Sequence, residues 1–234
     1  MQNLNDDIQP IGLTVSNWSR RPFPTVSHLT GRSIILEKLN SNHLPSLYEN
    51  MSNAPATQWT YLPEEAPESE EEFTNMMLKK IQSSTEVFYA IVEKLTKNVI
   101  GSFSLMRIDQ DNGVIEVGYV NFSPKLQRTT MATEAHYLLA KYVFEELGYR
   151  RYEWKCDSLN YPSNKSALRL GFKFEGTFRQ AAIYKGRSRD TNWYSMLDNE
   201  WPFHRKALEG WLSEDNFDEN RQELQKLEAF RLLK

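Results

Sequence analysis

Residues 115–135 read I-E-V-G-Y-V-N-F-S-P-K-L-Q-R-T-T-M-A-T-E-A. Their first half has the β-branched and aromatic content of a strand that ends at Phe122. A short polar loop follows, and a helix begins near Met131. Ala135, Leu138, Leu139, Tyr142, Val143 and Leu147 recur at three- and four-residue spacing on one face of that helix, and Gly148 stands where a stop is expected. Thr129 or Thr130 suits its N-cap. A strand that runs through a tight loop into a helix leaves unpaired backbone N–H groups at the helix start, where the dipole favours an anion. The stretch therefore predicts a phosphate-binding turn, and Lys125, Arg128 and the two threonine hydroxyls add charge and donors to it. An ordinary threonine cap beside solvated basic residues is the plainer reading of the same residues.

Working outward, strands are predicted at Ser33–Leu39, Val87–Glu93, Val99–Met106 and Val114–Phe122, with turns at Lys97-Asn98 and Asp111-Asn112-Gly113. Helices are predicted from Ser41 to about Met51 and from about Glu68 to Ser83. Beyond the central helix come a strand at 151–157, a helix at 161–170 and strands at 172–178 and 191–198. The order is an antiparallel meander that leads into a strand–helix–strand crossover, an α/β mixed sheet. Three parts are expected: an extended arm over residues 1–30, one domain over 31–201, and a helical extension over 202–234. The arm carries Pro10, Pro22 and Pro24 with scattered apolar anchors. It is expected to lie along the domain or on a neighbouring subunit, which leaves a homodimer open. The extension reads as a helix to about Leu212, an acidic break, and a short helix with Leu224, Leu227, Phe230 and Leu233.

At 234 residues and 40% hydrophobic, the chain can bury one full core. A net charge of −3 speaks against general nucleic-acid binding, which needs a basic excess. Cys156 is the only cysteine and the four histidines are scattered, so neither a disulfide nor a metal motif is expected. The N-terminus, M-Q-N-L-N-D-D, shows no apolar run of signal-peptide or membrane-spanning length. A reduced intracellular compartment, by default the cytoplasm, is the expectation.

Three segments together, 115–135, the run C-D-S-L-N-Y-P-S-N-K-S-A-L-R-L-G-F-K-F-E-G over 156–176, and R-D-T-N-W-Y-S-M-L-D-N-E-W over 189–201, resemble the GNAT acetyltransferases. The likeness is to the branch that includes the ribosomal-protein N-terminal alanine acetyltransferases, and it covers roughly residues 30–201. It implies a strongly twisted mixed sheet of about six to seven strands with helices on both faces. It also implies a gap between the strands at Val114–Phe122 and Arg151–Asp157, where acetyl-coenzyme A places its acetyl group for attack by an amine, with no metal. On the family's loop, Gln127, Arg128, Thr129, Thr130, Met131 and Ala132 become the pyrophosphate residues, with Thr130 standing where the first glycine is usual. The pattern Asn160-x-x-Ser163 before Gly171-Phe172 implies that Asn160 meets the pantetheine arm and that Ser163 lies near the sulfur as an acid. A tyrosine common elsewhere in the family is Ala167 here, so Tyr161 is the reserve.

Amide formation from a thioester needs a base, an oxyanion donor and a proton for the thiolate, but no acyl-enzyme. Glu116 is the candidate base. Period-two alternation puts it with Val114, Gly118 and Val120 on one face, among small or apolar neighbours that raise a carboxylate's pKa. A paired or edge-exposed acid is the plain alternative. Asn160 as an N-cap and Ser163 as its helper are likewise the plain alternatives. The donor is expected among the backbone N–H groups of Val117 to Asn121. Six glutamates between Glu64 and Glu72, preceded by Trp59 and Tyr61, form an acidic, aromatic segment suited to a cationic amine or peptide N-terminus, or simply a solvated helix start. Lys165 and Arg169 are candidates for the 3′-phosphate. Two function classes stay open: an acetyl-CoA-dependent N-acetyltransferase, and a weak or inactive GNAT-like module that binds coenzyme A or works through partners.

Overall fold

The computed structural model describes residues 3–232. In chain order the strands are β1 (Asn3–Leu4), β2 (Pro10–Ile11), β3 (His28–Thr30), β4 (Ile34–Lys38), β5 (Val87–Glu93), β6 (Val99–Asp109), β7 (Val114–Phe122), β8 (Arg151–Asp157), β9 (Lys173–Tyr184) and β10 (Arg187–Leu197). The helices are α1 (Leu44–Ser52), α2 (Glu70–Ile81), α3 (Thr130–Lys141), α4 (Tyr161–Leu170), α5 (Trp201–Leu212) and α6 (Leu227–Phe230). β1 and β2 pair only with each other, and the other eight strands form one sheet in the order β3-β4-β5-β6-β7-β8-β10-β9. All pairs in that sheet are antiparallel except β7 with β8.

The sheet has one strand more than the sequence predicts, because His28–Thr30, assigned to the arm, pairs with β4. Helices cover both faces, and the alternation of β5 shows how. Tyr89 and Ile91 enter one core with α3, α4 and α5, while Phe88, Ala90 and Val92 enter a second with α1 and α2. A strand covered on both sides reads as a near-continuous apolar run, as V-F-Y-A-I-V does.

Three boundaries differ from expectation. The helix predicted to 147 turns π-helical over Tyr142–Glu146 before the left-handed Gly148 ends it. That turn presents the Tyr142 hydroxyl to the N–H groups of Thr25 and Val26, docking the arm on the domain. The strands predicted at 172–178 and 191–198 extend into one long hairpin closed at Lys185-Gly186, both with positive φ, as a two-residue type I′ turn requires. The last helix is only four residues long, Leu224 is exposed, and Leu233 lies outside the described residues. α5 and Leu227 nonetheless share the main core through Trp201, Leu208 and Trp211.

Candidate functional site

β7 and β8 pair only where Val114–Val117 meets Arg151–Trp154, and then they diverge. β7 also departs from β6: Ser104 faces Gly118 and Ser102 faces Asn121, so β7 carries one extra residue. The bulge centres on Tyr119, whose φ of 49° is left-handed. The even alternation expected over 114–120 therefore breaks. Glu116 and Gly118 keep the α1–α2 face, but Tyr119 joins them there and Val120 turns to the α3 core. Among the described residues Tyr119 and Val120 have no register partner on β6 or β8.

At the end of β7 the loop folds back on Ser123, whose carbonyl accepts from the N–H groups of Leu126 and Gln127. Thr129 caps α3, its Oγ1 accepting from the Ala132 N–H at 3.2 Å. The left-handed residue of the turn is Arg128, at φ 61°, while Thr130 is the first helical residue. A threonine is tolerated there because the unusual backbone falls two residues earlier. The N–H groups of Arg128, Thr130 and Met131 bond to nothing among the described residues. The Gln127 side chain points elsewhere, donating to the Phe122 carbonyl at 2.8 Å and to Gln58 Oε1 at 3.2 Å. Met131 and Ala132 rest against the main core.

Asn160 caps α4, Oδ1 accepting from the Ser163 N–H at 3.2 Å. Ser163 Oγ accepts from Trp154 Nε1 at 3.0 Å. Its hydroxyl also lies beside the Cys156 thiol, whose pKa burial raises while Ser163 pulls it the other way. Tyr161 is 74% exposed. Arg169 turns toward α3 and the C-terminal segment, donating to Thr133 Oγ1 at 3.0 Å and covering the Trp211 ring, so it is a packing residue; Lys165 is exposed. Asp190 accepts from the Gln180 N–H and Trp201 donates to Glu145, both holding the framework.

Glu116 sits at the fork of the gap. Its carboxylate accepts from Lys155 Nζ at 2.8 Å, and Arg107 Nε stands 3.2 Å away. Burial raises its pKa above the usual carboxylate range, and Lys155, then Arg107, act against that rise. Lys155 was not singled out from sequence, although the alternation R-Y-E-W-K-C-D puts Arg151, Glu153, Lys155 and Asp157 on the Glu116 side of β8 and Tyr152, Trp154 and Cys156 in the core.

Around the open end of the gap, residues 56–61 link both halves of the sheet. Gln58 Nε2 donates to Asn121 Oδ1 at 2.5 Å, and Tyr61 OH to the Leu159 carbonyl at 3.0 Å. The β9–β10 turn reaches the same segment, Lys185 Nζ donating to the Trp59 carbonyl at 2.7 Å and Arg187 Nη2 to that of Thr60 at 3.0 Å. Trp59 itself is buried. On the α2 side lies a cavity of about 740 Å³ with Phe88 and Tyr119 in its lining and Glu64, Glu65, Glu71, Glu72 and Glu86 around it. Burial chiefly raises the Tyr119 pKa, with Glu64, Glu86 and Glu116 adding to the rise and Arg107 opposing it. No group of three or more His, Cys, Asp or Glu residues placed to hold a metal occurs among the described residues.

Comparison with known proteins joins this geometry to a family. The acetyltransferase (GNAT) domain model matches residues 33–173. The chain is 42% identical, with a TM-score of 0.91, to the crystal structure of a GCN5-related N-acetyltransferase from Brucella melitensis, covering 94% of this chain and 100% of that one. It is 35% identical over 113 residues to the uncharacterized N-acetyltransferase p20 of Bacillus licheniformis, over 48% of this chain and 63% of that protein. To the putative ribosomal N-acetyltransferase YdaF of Bacillus subtilis it is 32% identical over 104 residues, 44% of this chain and 56% of that protein. The chain thus spans less than two thirds of these two Bacillus relatives. With a model match over more than half its length and a forked mixed sheet to go with it, the chain belongs to the GNAT family of N-acetyltransferases.

Proposed function

We propose that the protein transfers the acetyl group of acetyl-CoA to a primary amine by direct attack, with residues 31–201 carrying the chemistry and residues 1–30 and 202–234 bracing it. The observation that carries this reading is the fork: β7 and β8 part after Val117 and Trp154, next to the Tyr119 bulge, and the loop that follows β7 leaves the N–H groups of Arg128, Thr130 and Met131 without a partner among the described residues. The coenzyme's pyrophosphate lies on the loop Gln127–Ala132, on the free N–H groups of Arg128, Thr130 and Met131. Its pantetheine arm runs past Asn160 into the gap. The N–H groups of Tyr119 and Val120 donate to the oxyanion, Glu116 removes the amine's proton, and the Ser163 hydroxyl protonates the departing thiolate.

The acceptor enters from the α2 side. Five glutamates against Lys79 and Lys80 leave the cavity net acidic, which favours a cationic amine or a peptide N-terminus, although Lys80 already lies over the Tyr119 and Phe88 rings and pairs with Glu64; the ribosomal activity in the name of YdaF fits the peptide N-terminus. The exposed edge strand β9, with Phe174 and Phe178 at the surface, supports a homodimer. A net charge of −3 supports an acceptor other than nucleic acid. Among the described residues no helix is long and apolar enough to cross a membrane, and the cytoplasm is our reading of the protein's location.

Two measurements test the proposal. Acetyl-CoA at about a hundredfold excess over its Kd should add about 2.7 kcal/mol to stability. Glu116→Gln should keep that stabilisation yet lower kcat about a hundredfold or more and flatten the acidic limb of the pH–rate profile. Coenzyme binding without thiol release from any amine tried would favour the binding-module reading instead.

A further inference from the structure

Resting on the reading of Glu116 as the base, we propose that Lys155 is its positioning residue. The ammonium, shared between Glu116 and Glu153, keeps the Glu116 carboxylate ionised and fixed at the fork of the gap. Lys155 Nζ lies 2.8 Å from Glu116 Oε2 and 2.7 Å from Glu153 Oε2. All three side chains are at least nine-tenths buried, at 7%, 6% and 8% exposure. Glu116 and Glu153 are register partners on the adjacent strands β7 and β8, and Lys155 follows Trp154, the last residue of β8 that pairs with β7. The pair of bonds therefore ties the two strands together on one face just where the ladder stops.

Two carboxylates this close, withdrawn from water, cannot both stay ionised without a cation between them. Each group around Glu116 pulls in a known direction. Lys155 favours the anion and Glu153 opposes it, both from β8. Arg107, from β6, favours the anion but is 62% exposed, so water screens it. From β10, the Trp193 ring lies under the Lys155 ammonium at 3.8 Å and holds it in place without taking its charge. Arg151 bonds the outer side of Glu153 at 2.6 Å and continues to Glu175 at 2.5 Å, which holds Glu153 in place as the second partner of Lys155. Tyr119, the next titratable group along β7, is itself held protonated by burial. Lys155 is thus the one buried cation facing the base among the described residues.

The test needs no acceptor. Carboxyl carbon NMR of the ¹³C-labelled full-length protein follows the titration of Glu116, assigned by its loss in Glu116→Gln. Lys155→Gln, which keeps hydrogen bonds but removes the charge, should move the Glu116 midpoint up by about one pH unit or more. Glu153→Gln should move it down, because an opposing charge leaves and Lys155 becomes wholly Glu116's partner. Lys155→Arg should hold it near the wild-type value. Opposite signs are what mere damage to the fold does not give, and melting temperatures recorded alongside separate the two. An unmoved midpoint in folded Lys155→Gln overturns the proposal. Should that variant not fold, an unmoved or raised midpoint in Glu153→Gln does the same. A midpoint that moves as stated, in an enzyme whose Glu116→Gln form still acetylates normally, would sustain the role of Lys155 and refute the base reading.

Discussion

The loop before α3 and the start of α4 were singled out for the same reason, as family motifs around one coenzyme, yet their donors have different fates. At the loop the N–H groups of Arg128, Thr130 and Met131 have no partner among the described residues. At α4 the side chains are already engaged: Asn160 caps the helix and Ser163 receives the Trp154 indole N–H. A backbone site is set by the path of the chain and tolerates unusual side chains, which is how Thr130 stands in a glycine's place. A side-chain site has to share its groups with the framework, so its variants lose stability along with any function.

The largest effect that bears on this comparison is at the loop. Thr130 is the first helical residue, a position that accepts proline, and Thr129 has the extended conformation that must precede one. Thr130→Pro therefore deletes one N–H at little cost to the fold. Loss of a charge-assisted bond of about 1.5–3 kcal/mol should weaken acetyl-CoA about ten- to hundredfold by calorimetry. Unchanged affinity would remove the loop as the pyrophosphate site.

Next is the acid sensitivity of the core beneath the gap. His136 is buried among Phe103, Phe122 and Trp154, and burial lowers its pKa from 6.5 to about 3. The folded state refuses a proton that the unfolded chain accepts, so stability is full above pH 6.5 and falls as pH drops from there toward 3. The slope is about 1.4 kcal/mol per pH unit. His136→Phe should flatten that decline in melting temperature measured between pH 7 and 4, and an unaltered slope would place the acid sensitivity elsewhere.

Ser163→Ala should cost about 1–3 kcal/mol by stranding the Trp154 N–H and should slow turnover with acetyl-CoA affinity nearly intact. Lower stability with normal kcat would leave Ser163 as framework alone. The smallest effect is Asn160→Ala, about 1 kcal/mol for a lost cap, together with weaker coenzyme binding. A fall in melting temperature with unchanged affinity would take Asn160 out of the site.

Much of this was legible along the chain. The strands at 87–93, 114–122 and 151–157, a threonine cap at 129 or 130 and the stop at Gly148 follow from periodicity and from residues with strong local preferences. The bulge at Tyr119 was not, because an extra residue shows only against the partner strand, and it put Val120 on the opposite face from the one expected. The hairpin extension through 179–190 was hidden because R-Q-A-A-I-Y and R-S-R-D lack an apolar stripe; both lie on an edge with little to bury.

The sequence by itself determined the order of elements, the place where backbone amides gather before a helix, and the presence of a glutamate on the strand that leads there. These depend on dihedral preference and hydrophobic spacing, which act within a few residues. Only the tertiary structure decided that Glu116 meets Lys155, that Gln127 turns to Gln58 instead of outward, that Lys185 and Arg187 reach the segment at 56–61, and that Arg169 serves packing. Each of these joins residues tens to more than a hundred positions apart, and a side chain's partner across such a distance is set by strand register and helix packing, which no local pattern encodes.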